Sequence, residues 1–130
     1  MILGLTAEGS GFQPALRTER FLCAFISYAA QYAYGKITAM KRHLTSPEVF
    51  VLLRGRATLI TMESDKAVPD ITELEPGKTV CVKAGTWHYL AVSEDALVFV
   101  TENNDVSAQN TETLYLEEPY EIFGGLSASE

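Results

Sequence analysis

Two histidines and one glutamate are the residues of this 130-residue sequence whose types and spacing could do chemistry. His43 and Glu48 lie in residues 35–55 (GKITAMKRHLTSPEVFVLLRG), and His88 ends residues 77–88 (GKTVCVKAGTWH). Imidazole and carboxylate groups bind Zn, Fe, Mn or Ni, and three such ligands leave positions open for water or substrate. The residue types therefore predict a divalent transition-metal site formed by His43, Glu48 and His88.

The pattern around these residues predicts how they are positioned. Residues 36–43 read as a strand on which Lys41 and His43 share one face. Thr45-Ser46-Pro47 is typical of a turn, so Glu48 opens the next antiparallel strand and points to the same side. His88 belongs to a distant strand, and it reaches the other two residues only if the sheet closes on itself.

The rest of the chain consists of short apolar runs separated by turn residues, with almost no helical periodicity. This pattern predicts a single all-β domain, either a sandwich or a barrel. We expect an irregular lead-in with one short strand at residues 1–20, the β-domain at 21–116 and a tail at 117–130. The predicted strands within the domain are residues 20–28, 36–43, 48–53, 57–62, 71–74, 79–82, 86–92, 96–101 and 113–116.

Composition excludes several classes of function. The net charge is −7 and no dense Lys/Arg cluster occurs, so nucleic-acid binding is not expected. The longest apolar run, residues 21–34, is too short to span a bilayer, and we expect neither a membrane segment nor a signal peptide. Cys23 and Cys81 lie in apolar runs and read as small buried side chains in a reducing compartment, which predicts a cytoplasmic protein.

Both stretches resemble the two sequence motifs of the cupin superfamily, G-x5-H-x-H-x3,4-E-x6-G and G-x5-P-x-G-x2-H-x3-N. The resemblance covers about residues 21–101. The matching positions of the first motif are Gly35, His43, Glu48 and Gly55, and those of the second are Gly77, Gly85 and His88.

The resemblance implies a small, single-domain, RmlC-like jelly-roll β-barrel in which His43, Glu48 and His88 occupy metal-ligand positions. It leaves the activity open, because the superfamily includes dioxygenases, isomerases, epimerases, decarboxylases, storage proteins and sugar-binding sensors. The second motif departs from the pattern at Lys83 and Val92, which bears on turn geometry more than on chemistry.

Lys41 stands where the first histidine ligand of the cupin motif would be, and it is the candidate catalytic residue. Three roles are open. Its ammonium could replace the metal and form a buried pair with Glu48. A nearby metal could lower its pKa, leaving a neutral amine as ligand or general base. It could also stay charged at the rim and bind a substrate carboxylate or phosphate.

Two classes of function follow from these residues. The first is a metal-dependent enzyme acting on a small polar metabolite, and the second is a non-catalytic, metal-free module that binds a small ligand. Glu102, just after an apolar strand, is expected to reach the mouth of the barrel. Trp87 and Tyr89 flank His88 and therefore point to the opposite face, in an outer core or interface.

The strand at residues 48–53 is apolar on both faces, although only one can face a barrel interior. Val49, Val51 and Leu53 therefore need a cover, which predicts a homodimer. The strand at residues 20–28 is the alternative cover within one chain.

Overall fold

The computed structural model describes residues 4–65 and 67–122. This part of the chain forms ten strands and two short 3₁₀ helices, at Ala30–Tyr32 and Ala108–Asn110. The strands are β1 (Gly11–Arg17), β2 (Phe21–Ser27), β3 (Gly35–His43), β4 (Glu48–Arg54), β5 (Ala57–Met62), β6 (Asp70–Glu73), β7 (Thr79–Val82), β8 (Trp87–Val92), β9 (Leu97–Asn103) and β10 (Thr111–Ile122). The predicted all-β class is confirmed.

The strands form two five-stranded sheets. The first has the order β1-β2-β9-β4-β7, and the second has the order β10-β3-β8-β5-β6. Every strand pair within the sheets is antiparallel. Most sequence neighbours lie in different sheets or are not adjacent, so the chain repeatedly crosses between sheets. This order is consistent with a jelly roll, the double-sheet arrangement of cupins.

The main core lies between the two sheets. Alternate residues of each strand point inward, as the two-residue period of a strand requires. The first sheet contributes Phe50 and Val100 to the core, and the second contributes Leu59, Leu90 and Val92. All five side chains are at most 4% exposed. The region between the sheets is therefore where a buried site can form.

A second core covers the outer side of the second sheet. Met40, Ile60, Trp87 and Ala91 pack there with Ile122 from β10. Strand β8 is consequently buried on both faces, with Trp87 on the side opposite His88, as its alternation predicts.

Gly55 permits the tight connection between β4 and β5. Its φ is +75°, a left-handed conformation that side chains rarely adopt. A Cβ atom added there would lie 2.5 Å from the Cα of Ala96. The glycine that ends the first motif is therefore required by backbone conformation and by close packing.

The lead-in contains one strand, β1, which pairs along β2. The structure differs from the sequence-based expectations at the other end of the domain. The last strand does not end at residue 116 but continues to Ile122, because β10 follows β3 as far as Gly35 after a register shift between Tyr115 and Tyr120. Residues 123–130 of the expected tail lie outside the described residues.

The outer face of the first sheet has no cover within the described chain. Residues 20–28 were one expected cover for β4, but β2 instead pairs with β9 in the same sheet as β4. Leu53 is 50% exposed in consequence. Cys81 is also exposed, so its expected burial is wrong: β7 is the edge strand of this sheet, and Cys81 does not share the buried side of Val82.

No helix within residues 4–65 and 67–122 has the length and apolar character needed to cross a membrane.

Candidate metal centre

A short loop, fixed by hydrogen bonds, brings His43 and Glu48 together. His43 ends β3 and Glu48 begins β4. Between them, the buried Ser46 hydroxyl accepts a hydrogen bond from the Asn103 backbone N–H at 2.8 Å and donates to the Pro47 carbonyl at 2.6 Å. The loop is thus held against the end of β9, and the two ligand-bearing strands have a defined relative position.

The second motif reaches the first through direct strand pairing. Lys41 of β3 and His88 of β8 are paired residues in the second sheet. The Gly85 N–H, in a residue with φ +84°, donates a hydrogen bond to the His43 carbonyl at 2.8 Å. His43 and His88 therefore come from one sheet and Glu48 from the other, and the three side chains meet in the space between the sheets.

The three side chains have the spacing of ligands to one ion. The Glu48 Oε1 atom lies 3.0 Å from His88 Nε2 and 3.6 Å from His43 Nε2. One ligand atom from each residue can be chosen so that all three lie within 4.8 Å of one another. Metal–ligand bonds of 2.0–2.2 Å place the ligand atoms of a tetrahedral site ~3.4 Å apart. The structure therefore brings together all three residues that the sequence nominates as ligands.

The far nitrogens of both rings have partners that orient them. His88 Nδ1 lies 3.0 Å from the Thr86 carbonyl, and His43 Nδ1 lies 3.0 Å from the Thr111 hydroxyl. A carbonyl can only accept, so His88 Nδ1 carries the proton. The ring donates from Nε2 to Glu48 when it is protonated, and it offers the Nε2 lone pair to a cation when it is neutral. A hydrogen-bonded far nitrogen is typical of metal-bound histidine.

Glu48 is the charged centre of this cluster. It is 6% exposed, and burial by itself raises the pKa of its carboxyl group. The contacts with His43 and His88 outweigh burial and lower the pKa to about 2. The contact with Glu48 in turn raises the pKa of His43 above 6.5. The site therefore holds a carboxylate that stays ionised at neutral pH and attracts positive charge.

The cluster borders a cavity of about 770 Å³. This volume is within the range of small-molecule sites, which combine apolar walls with a few polar groups. The walls include apolar side chains and several groups that can bind a polar ligand. The polar lining residues are Gln31, Tyr32, Lys36, Thr38, Lys41, His43, Glu48, His88, Tyr89 and Glu102. Tyr89 also packs against the outer core, where it was expected, so it borders both regions.

Lys41 lines this cavity but does not form the buried pair with Glu48 that was one of its three expected roles. Its side chain is exposed. Among the described residues, the ion-pair partners of Glu48 are His43 and His88. That role is wrong because the two imidazoles occupy the space around the carboxylate. A role as ligand or base and a role at the rim both remain open.

Glu102 is a more prominent site residue than the sequence suggested. It lines the cavity, is 7% exposed and is paired with Glu48 across β9 and β4. Burial, together with the charge of Glu48, raises the pKa of Glu102 to about 7. The alternation of β9 was the available signal, because Glu102 continues the inward-facing row of Val98 and Val100.

Tyr32 is a cavity residue that the sequence did not nominate. It lies in the 3₁₀ turn Ala30–Tyr32, between β2 and β3. Burial raises the pKa of its phenol to about 12, so the hydroxyl remains a neutral hydrogen-bonding group.

Comparison with known proteins identifies one matching family model. Residues 9–123 match the family model described as ureidoglycolate lyase. Comparison with the curated protein sequences gives no match.

Solved structures share the fold at low sequence identity. A structure of CapF with the inhibitor 3-isopropenyl-tropolone is 15% identical, with a TM-score of 0.59, and covers 89% of this chain. KdgF from Halomonas sp. is 15% identical, with a TM-score of 0.55; the match covers 75% of this chain and 81% of KdgF. Oxalate decarboxylase from Bacillus subtilis is 17% identical, with a TM-score of 0.56 over 74% of this chain.

The matched lengths differ among these structures. The present chain spans 35% of the CapF chain and 24% of the oxalate decarboxylase chain. At these identities the likeness shows the fold alone, and together with the family match over residues 9–123 it supports the cupin superfamily that the two motifs indicated. The match over residues 9–123 is more specific, and by it the chain belongs to the ureidoglycolate lyase family.

Proposed function

We propose that this protein is a metal-dependent lyase that splits ureidoglycolate, or a closely related small hydroxy acid, in the cavity between its sheets. The observation that carries the proposal is the convergence of His43, Glu48 and His88 at the cavity of a chain from the ureidoglycolate lyase family. We propose further that the two sheets form a jelly-roll barrel around this cavity.

In this proposal His43, Glu48 and His88 hold one divalent transition metal ion, of which Zn, Fe, Mn and Ni are candidates. The bound metal would supply Lewis-acid polarisation of a substrate oxygen. Support for the ligand set comes from the short distances to Glu48 Oε1 and from the hydrogen-bonded far nitrogens of both rings.

The proposed reaction breaks one C–N bond. The substrate hydroxyl loses its proton as its oxygen becomes the aldehyde oxygen of glyoxylate, and the departing nitrogen gains a proton to give urea. Lys41 is proposed to act at the rim, where its ammonium would bind the substrate carboxylate. Lys36 and Lys41 are the cationic amines among the described residues that line the cavity, which supports this placement.

A second candidate function is metal-free binding of a small ligand without catalysis. It is favoured by Lys41 in the position of the first histidine of the cupin motif. The pairing of Glu48 with two imidazoles also favours it. A proton on either ring would neutralise the carboxylate without a metal ion.

An activity assay separates the two candidates. Protein purified without an affinity tag should release glyoxylate and urea in equal amounts from ureidoglycolate. A strong chelator should abolish turnover, and a divalent metal should restore it. His88→Ala should be inactive under the same conditions, whereas Tyr115→Ala, a change at a side chain that is 78% exposed, should behave as wild type. Ligand binding without turnover would favour the second candidate.

The expected homodimer is proposed to form through the outer face of the first sheet. Phe25 and Phe99 form an edge-to-face pair there, and Leu53 is 50% exposed. Exposed apolar area on a sheet without a cover is typical of an interface. Light scattering should give a dimer for wild type and a monomer for Leu53→Glu, with Tyr115→Glu as the control; a wild-type monomer at micromolar concentration would refute the dimer.

We also propose that the protein works in the cytoplasm. Cys23 and Cys81 are both free thiols, which suits a reducing compartment. Fractionation of cells that produce the protein at native level tests this assignment.

A further inference from the structure

Glu102 is a buried carboxyl group that lines the cavity but is not one of the proposed metal ligands. It faces inward because it follows Val98 and Val100 at alternate positions of β9, and both valines are fully buried. It lines the same cavity as His43, Glu48 and His88. It does not belong to the group of three residues whose ligand atoms lie within 4.8 Å of one another. Glu102 therefore sits beside the candidate metal centre rather than in it.

One oxygen of the Glu102 carboxyl group has unused hydrogen-bonding capacity within the described part of the chain. Its Oε2 atom is buried and has no hydrogen-bond partner among the described residues. A buried polar atom without a partner costs free energy, and in native proteins such an atom calls for an explanation. The last torsion of a glutamate side chain is soft and roughly two-fold, so either oxygen can turn toward the cavity. A ligand in the cavity is the partner that this arrangement can accommodate.

The other polar groups of the cavity limit which part of a ligand Glu102 would meet. Lys41 and Lys36 line the cavity and suit a ligand carboxylate, whereas the carboxyl groups of Glu48 and Glu102 repel one. Glu102 and Glu48 are paired residues on neighbouring strands, so the Glu102 carboxyl lies on the side of the cavity that already carries negative charge. The part of the ligand that reaches it must be neutral or positive and must carry hydrogen-bond donors.

We propose that Glu102 binds the ureido group of the substrate and selects ureido compounds over other small carboxylic acids. A ureido group presents two parallel N–H donors, which match the two oxygens of a carboxylate. A protonated carboxyl group makes an equivalent pair, since it accepts one N–H and donates its O–H to the ureido carbonyl. The pairing therefore does not depend on the charge state of Glu102. The ureido ligand itself rests on the proposed function.

Binding measurements with two non-reactive probes test this role. Ureidoacetate keeps the carboxylate and the ureido group but has no hydroxyl, so it cannot undergo the lyase reaction. N-Acetylglycine has the same length but a methyl group in place of the terminal amine. Calorimetry should show that wild type binds ureidoacetate about ten-fold more tightly or better, since one hydrogen bond to a charged group has roughly this effect.

Two substitutions assign the preference to Glu102. Glu102→Leu should reduce it to within about two-fold, because the hydrogen bonds to the buried polar group are gone. Glu102→Gln keeps the shape and one donor and one acceptor, so it should keep part of the preference and serves as the test if the leucine variant does not fold. Glu118→Leu, at an exposed position of β10, is the control and should bind both probes as wild type does.

The outcomes distinguish this inference from the proposed function. A preference for ureidoacetate that disappears in Glu102→Leu supports the ureido site, even if the protein fails to split ureidoglycolate and the lyase proposal falls. Equal binding of both probes by wild type overturns the inference. An unchanged preference in Glu102→Leu also overturns it, even if the enzyme turns over ureidoglycolate.

Discussion

Glu48 and Glu102 are paired residues on neighbouring strands of one sheet, yet their surroundings make them opposites. Glu48 has two imidazoles against it, and its pKa is lowered to about 2. Glu102 has an oxygen with no partner among the residues that the structure describes, and burial raises its pKa to about 7. Two carboxyl groups with such different environments are suited to different tasks. Glu48 is suited to hold a cation, and Glu102 is suited to bind a neutral group.

Removing a partner from Glu48 should have the largest effect. His88→Ala leaves the buried carboxylate with His43 alone, at 3.6 Å. We expect metal affinity to fall at least ~100-fold. Removing a group that only orients a ligand costs up to about 100-fold, and His88 is itself a candidate ligand. We also expect the metal-free protein to lose about 3 kcal/mol of unfolding free energy.

Metal titration and urea denaturation in the presence of a chelator measure the two effects. Glu118→Ala, at an exposed position, is the control and should change stability by less than about 0.5 kcal/mol. A His88→Ala protein with wild-type metal affinity would show that the three residues are not a ligand set.

The free energy of unfolding at acid pH should reflect the low pKa of Glu48. A carboxyl group whose pKa is lower in the folded state stabilises the fold above its unfolded pKa. This contribution is lost as the pH falls from about 4.5 to about 2. It should amount to about 3 kcal/mol in metal-free protein. Denaturation at a series of pH values should show this loss in wild type but not in Glu48→Gln, and the same slope in both proteins would contradict it.

Glu102 should have the opposite and smaller pH dependence. Its pKa is higher in the folded state, so its favourable contribution is complete below about 4.5 and is lost as the pH rises to about 7. Glutamine does not ionise, so Glu102→Gln removes this loss. The variant should therefore become more stable relative to wild type as the pH rises from about 5 to about 8. Thermal denaturation of both proteins over this range provides the measurement. A difference in stability between the two proteins that does not change with pH would mean that folding does not raise the pKa of Glu102.

Lys41 should matter for ligands and metal but little for stability. Lys41→Ala should change unfolding free energy by less than about 0.5 kcal/mol, because the side chain is exposed. It should weaken binding of ureidoacetate about ten-fold through loss of the carboxylate partner. Lys41→His should tighten metal binding by adding a ligand. Strong destabilisation of Lys41→Ala would instead mean that the ammonium compensates a buried charge.

The sequence predicted the convergence of His43, Glu48 and His88 better than the cavity wall beside them. His43 and Glu48 are close along the chain, and the two motifs supplied the distant His88. Glu102 meets Glu48 through pairing of β4 with β9, and nothing local in the sequence reports which strands pair. The continuation of β10 to Ile122 depends likewise on its pairing with β3. Outside the two motifs, contacts between distant strands are thus what the sequence did not supply.

The most direct test of the metal centre is the metal content of protein purified without an affinity tag. We expect about one divalent transition metal ion per chain in wild type, because one cluster of three candidate ligands is present among the described residues. The same measurement on His88→Ala should give little or none. A wild-type protein that contains no metal, and that takes up none when Zn, Mn, Ni or Fe is added under reducing conditions, would contradict the account.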